Sequence, residues 1–176
     1  MENTMKQNSM TSSLGTEKSR PLLAGIVTGQ VAGLIMAVVV MIVFAVFLGH
    51  SPLYPVQVIG SVLFGESALQ GFHFGALLAG LILHQAGPSL LWGVAYGLIA
   101  AKLQPRNTSS ALMLGLAVGV VSMIGPYVLI PFVMNIMQGA DLWNREVPMF
   151  WDWAAHLVFG ASFGLYPALE RKLLGR

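Results

Sequence analysis

The sequence predicts an all-α membrane protein: four transmembrane helices as two tandem hairpins, with a short interfacial or re-entrant segment between helices 1 and 2. Three observations lead there. The chain is 56% hydrophobic and only 9% charged, against about 25% charged in soluble domains. Its apolar residues gather into four runs near the ~20 residues that cross a bilayer core. Its basic residues collect on one side of those runs.

The first run, residues 22–49, carries no charge and is long enough to tilt or to enter the headgroup region. Residues 56–65 are apolar but too short to cross. They follow Pro52 and Pro55, which suits an interfacial or re-entrant segment. The second run spans residues 73–102, the third 111–137 and the fourth about 148–169. Pro148 suits a first helical turn, where its missing N–H has no helical partner anyway. Residues 1–20 are polar and rich in Ser, Thr and Asn and read as a disordered cytoplasmic tail. The apolar run that follows is too long for a secretory signal. Residues 21–176 form a single transmembrane domain.

Lys6, Lys18 and Arg20 precede the first run, Lys102 and Arg106 separate the second from the third, and Arg171, Lys172 and Arg176 follow the fourth. Only Arg145 of the nine basic residues falls on the other side. The positive-inside rule then places both termini in the cytoplasm of a multi-pass inner (plasma) membrane protein. Trp143, Trp151 and Trp153 fall at the outer interface, where indole rings collect.

Two stretches align without gaps. Ser89, Trp92, Gly93, Tyr96 and Gly97 match His156, Phe159, Gly160, Phe163 and Gly164. Gly29 and Gly33 align more weakly with Gly115 and Gly119. A parallel repeat of two hairpins explains both matches; chance similarity of Gly-rich helices is the alternative. Every run carries glycines four apart: Gly25, Gly29 and Gly33; Gly93 and Gly97; Gly115 and Gly119; Gly160 and Gly164. Such strips let helix backbones approach closely, within one bundle or between subunits.

Ser89, Ser122 and His156 fall near mid-depth, with His84 and Asp152 about a turn further out. Asp152 and His156 are four apart and share a helical face. Ionisable groups inside a span are costly and point to function. For Asp152 alone, an interfacial charge in a first helical turn is the plainer expectation. Pro88 and Pro126 cannot donate to the carbonyls of His84 and Ser122. The kinks either serve packing or open a small-solute site. His50, His73, Glu66, Asp141 and Glu146 lie in or beside the outer loops and read as solvated residues, because none has the spacing of a metal motif. Whether they hold a metal is unknown from spacing.

The run from His156 to Gly164, echoed by Ser89 to Gly97, resembles uncharacterised small four-helix bacterial inner-membrane proteins. That resemblance implies a fold and no activity.

Several function classes fall away. There is no cysteine, hence no disulfide, thiolate site or Cys nucleophile. Nucleic-acid binding lacks a clustered basic face. No nucleophile elbow, phosphate loop or zinc-protease motif is present, so an enzyme is the least supported class. Three expectations remain. The leading one is a non-enzymatic accessory or scaffold subunit, with the lipid bilayer and other membrane subunits or further copies of itself as partners and no cofactor. The second is a b-type haem or metal protein using His84 and His156. The third is an oligomeric channel or small-solute transporter lined by Gln30, His84, Ser122 and Asp152.

Overall fold

The computed structural model describes residues 2–173, with side chains from residue 21 onward. The disordered tail expected over residues 1–20 therefore lies outside the residues described in full. The described residues are mostly helical, with no strand among them. Helix α1 (Glu2–Val46) leads to a short α2 (Tyr54–Phe64) and a 3-10 turn. Helices α3 (Phe74–His84) and α4 (Leu90–Leu103) are joined end to end by a π-helical turn, Gln85–Ser89. Helices α5 (Thr108–Ser122) and α6 (Ile130–Gln138) are joined in the same manner through Gly125–Leu129. A short α7 (Leu142–Glu146) precedes α8 (Met149–Ser162), which passes through a 3-10 turn into α9 (Tyr166–Leu173).

Three of these paths are long and apolar enough to cross a membrane: Pro21–Val46, Phe74–Leu103 and Thr108–Gln138, of 26, 30 and 31 residues. The prolines did not merely bend the second and third. Pro88 and Pro126 lie inside the π turns. A π turn pairs groups five residues apart, so the ladder can resume past a residue that has no N–H.

Glycines set the packing. Helix α1 packs on α4, and α5 packs on α8. A Cβ on Gly29 would lie 2.5 Å from the Cα of Gly93, and one on Gly119 2.5 Å from the His156 carbonyl oxygen. Gly25 meets Gly97, and Gly115 meets Gly160, as backbone on backbone. No side chain fits at these positions, so van der Waals contact between backbones joins each helix pair. Gly164 departs from the expected strip. Its nearest neighbours are the side chains of Thr108 and Leu112 at 3.5 and 3.7 Å, which is ordinary contact. The α-helix has ended at Ser162, and the 3-10 turn Phe163–Leu165 shifts the strip's last glycine off the seam. Two isolated glycines matter instead. Gly60 of α2 abuts the Ala76 carbonyl, and Gly80 of α3 abuts the Val56 carbonyl, which locks α2 against α3.

The core has two parts. Near the end carrying Lys102 and Arg171 (the basic end), Tyr96, Phe159, Phe163 and Tyr166 cluster with small alanines. Tyr96 stacks on Phe163 at 4.3 Å between ring centroids. Towards the other end, Phe44, Val58, Met134, Leu142 and Trp143 form a second cluster beneath α2 and α7. Trp143 is buried there rather than at an interface with headgroups. Between the two clusters lies a layer of polar side chains.

Candidate functional site

The first polar network ties α1 to the π turn of the second long helix. Gln30 Nε2 donates to the backbone carbonyl of Gln85 at 2.9 Å. A carbonyl only accepts, so this fixes the Gln30 amide and turns its Oε1 towards Gln85 Nε2, 3.2 Å away. Gln85 Oε1 then faces the other way. It accepts from Ser89 Oγ at 3.1 Å and lies 3.0 Å from His84 Nδ1. An amide oxygen carries no proton, so Nδ1 of His84 does. In the neutral ring Nε2 is left as a bare acceptor. One backbone carbonyl thus determines two amide orientations and a tautomer.

The second network lies between α5 and α8. Ser122 Oγ is 2.6 Å from the Gly119 carbonyl and 2.7 Å from His156 Nδ1. A hydroxyl has one proton. Given to the carbonyl, it leaves Ser122 to accept from His156 Nδ1–H. Given to the ring, it would leave two oxygens 2.6 Å apart with no proton between them. The first arrangement is therefore the stable one. His156 Nε2 lies 3.5 Å from Asp152 Oδ1, and Trp143 Nε1 donates to Asp152 Oδ2 at 3.3 Å. The 3.5 Å between Nε2 and Oδ1 exceeds a normal hydrogen bond, so the two groups meet as a close buried pair of polar atoms rather than a formed bond.

Asp152 is thus not an interfacial charge. It sits in the first turn of α8 but is only 3% exposed, held by Trp143 and His156. Ser89 and Ser122 are each 1% exposed. Among the described residues, the Tyr127 hydroxyl is the only buried side-chain polar atom without a partner. Apart from His84 Nε2, the polar layer is otherwise satisfied, and hence rigid.

Both networks face a cleft of about 340 Å³. Its floor carries His84, Ser89, Ser122 and His156, with Trp92, Trp143 and Phe159 around them. Its walls are the two π turns, including Pro88 and Pro126. Leu91, Ile124 and Leu129 on the rim are about half exposed, so the cleft opens sideways between the second and third long helices. A smaller cavity of about 110 Å³ shares His84 and Trp143 with it and reaches Asp152.

The five residues expected to converge therefore form two groups, Ser89 with His84 and Ser122 with His156 and Asp152, and all but Asp152 line the larger cleft. His84 bonds to Gln85 rather than to Asp152 or His156. Both ring nitrogens of His156 face partners of its own, so it does not present a free nitrogen opposite His84 for haem. Gln30 is tied to Gln85, and the aromatic cluster lies on the basic side of the polar layer. Gln85 is the site residue that sequence reasoning passed over. The signal was Gln30, a lone amide in an otherwise apolar run that needed a partner.

The loop residues have structural partners. His73 Nδ1 accepts from the Ala76 N–H and caps α3 at 3.0 Å, while His50 stacks on Tyr54. Asp141 caps α7 through the Asn144 N–H at 3.1 Å. Arg145 grips Glu66 through both terminal nitrogens and Glu146 through Nε. Glu146 in turn accepts from the Tyr54 hydroxyl at 2.6 Å. Burial, then the Glu146 contact, pushes the Tyr54 phenol well above its usual range. The hydrogen bond from Arg145 holds Glu66 below the usual carboxylate range. Among the described residues, no three His, Asp or Glu side chains converge on a metal position. No protein-family model, curated protein or solved structure matches the chain.

Proposed function

We propose that the chain is a non-enzymatic four-span protein of the inner membrane, an accessory subunit that holds a small apolar molecule drawn from the bilayer. The observation that carries this reading is the cleft between the two π turns. It is ligand-sized, apolar on its walls, polar on a preorganised floor, and open towards the face that lipid would cover. π turns of this kind are found mostly where a helix does more than pack. The other two expectations lack this support, because the described polar groups bind one another.

The fourth span in this reading is residues 149–173, a continuous helical path of roughly 35 Å at 1.5 Å per residue. Both termini lie in the cytoplasm on the count of basic residues. The glycine seams support the tandem-hairpin origin, since Gly29 with Gly93 and Gly115 with Gly160 occupy matching places.

Native mass spectrometry from nanodiscs, with extraction of bound small molecules, tests the function. A stoichiometric apolar molecule that is lost when Gly125→Leu narrows the cleft is the expected result. A protein that carries only bulk phospholipid, unchanged in that variant, would refute the reading. Reporter fusions after Arg106 and at the C-terminus should read cytoplasmic, and near Ser67 and Asn144 external; an external C-terminus rules out four spans.

A further inference from the structure

Resting on the cleft as a binding site, we infer that its ligand is a neutral molecule with a hydroxyl head, a phenol or alcohol of the lipid phase, whose O–H donates to His84 Nε2. The inference comes from a count of protons on the floor. His84 Nδ1–H is committed to Gln85 Oε1, which leaves its Nε2 an acceptor, and the ring lines the cleft. Ser89 spends its one proton on the same Oε1 and leaves only lone pairs. Ser122 spends its proton on the Gly119 carbonyl and accepts from His156. His156 keeps one N–H on Ser122, and its other nitrogen lies 3.5 Å from Asp152 Oδ1. Every free valence on the floor is thus an acceptor.

A ligand that only accepts, such as an ether, ester or ketone, could meet the Trp92 indole N–H but would leave His84 Nε2 without a partner. A donor satisfies His84 Nε2, a group that is expensive to leave unpaired in apolar surroundings. The choice between hydroxyl and ammonium follows from charge. No acidic side chain lines the cleft. A cation entering from lipid would meet no counter-charge, whereas a neutral hydroxyl needs none. The rim admits it from the side, and Trp92 and Phe159 offer faces to a ring or chain behind the head.

Two probes of nearly equal shape test this: 4-octylphenol, and its methyl ether 4-octylanisole, which lacks the donor. Each is titrated into nanodiscs holding the full chain, and the rise in unfolding temperature is followed against mole fraction in the bilayer. The phenol is expected to saturate at about tenfold lower mole fraction than the ether. In His84→Phe the two should converge, with both still saturating. Equal half-saturation in the wild-type protein would overturn the hydroxyl inference while leaving the cleft as a binding site. No saturable shift with either probe would overturn the binding site itself. Should His84→Phe not fold, the wild-type comparison decides alone.

Discussion

At the scale of single residues, the informative quantity is where protons sit. Asp152 and His156, four apart in sequence, could be placed on one face by counting. Their meaning could not, because it depends on Ser122 from another helix and on a carbonyl that Ser122 uses. The Gln30–Gln85 contact was equally hidden, since 55 residues separate the partners. Asp152→Ala should leave His156 Nε2 facing an empty position and destabilise the fold by about 1–3 kcal/mol. Replacing both residues, as Asp152→Leu with His156→Phe, should cost less than the sum of the single changes by about 0.5–3 kcal/mol. Thermal unfolding of the four proteins in one detergent measures that coupling. Strict additivity would mean that the 3.5 Å approach carries no interaction.

Among elements, glycine spacing told which faces could meet, because a hairpin of antiparallel helices pairs the first glycine of one strip with the last of the other. It did not tell which contact each glycine makes. The Gly164 position failed because the helix tightens into a 3-10 turn at Phe163. Gly60 and Gly80 were passed over because neither has a companion four residues away. Two alanine variants separate these cases. Gly119→Ala drives a methyl into the His156 carbonyl and should lose about 1–3 kcal/mol. Gly164→Ala meets only side chains at ordinary distance and should be neutral or gain up to about 1 kcal/mol. Equal losses for both in thermal unfolding would show that the seam continues past Ser162.

For the whole molecule, composition made the membrane character legible, but not the fastening of the end opposite the basic one. Arg145 joins the 3-10 turn carrying Glu66 to α7, and Glu146 joins α7 to Tyr54 on α2. Loop charges have no periodicity to read, so these pairs could not be inferred from spacing. The sign of their pH dependence follows from Glu66. Its folded pKa lies below its ordinary value of 4.5. The link is therefore complete above that value and is lost as pH falls through the lowered one. The chain has no cysteine, so spin labels on Ser67→Cys and Asn144→Cys report this one distance. Their separation should be narrowly distributed at pH 7 and broad once the pH falls below the lowered Glu66 pKa; with Glu66→Gln it should be broad at both. A distribution indifferent to pH and to that variant would show that α2 and α7 are held by packing alone.

The π turn at Gln85–Ser89 also acts as a rotary offset. Nine residues separate His84 from Gly93, and in an unbroken α-helix ~100° per residue would carry His84 about half a turn away from the seam with α1. A turn that absorbs one extra residue removes ~100° of that, leaving His84 roughly a quarter turn from the seam. The imidazole that faces the cleft would otherwise point into lipid. Its bearing is thus set by the winding around Pro88 rather than by its own place in the heptad-like pattern of the helix. The same offset separates Ser122 from the outer half of its helix at Gly125–Leu129. Rewinding either turn would swing one half of a helix about its own axis, closing or re-aiming the cleft without moving the glycine seams that hold the hairpins together.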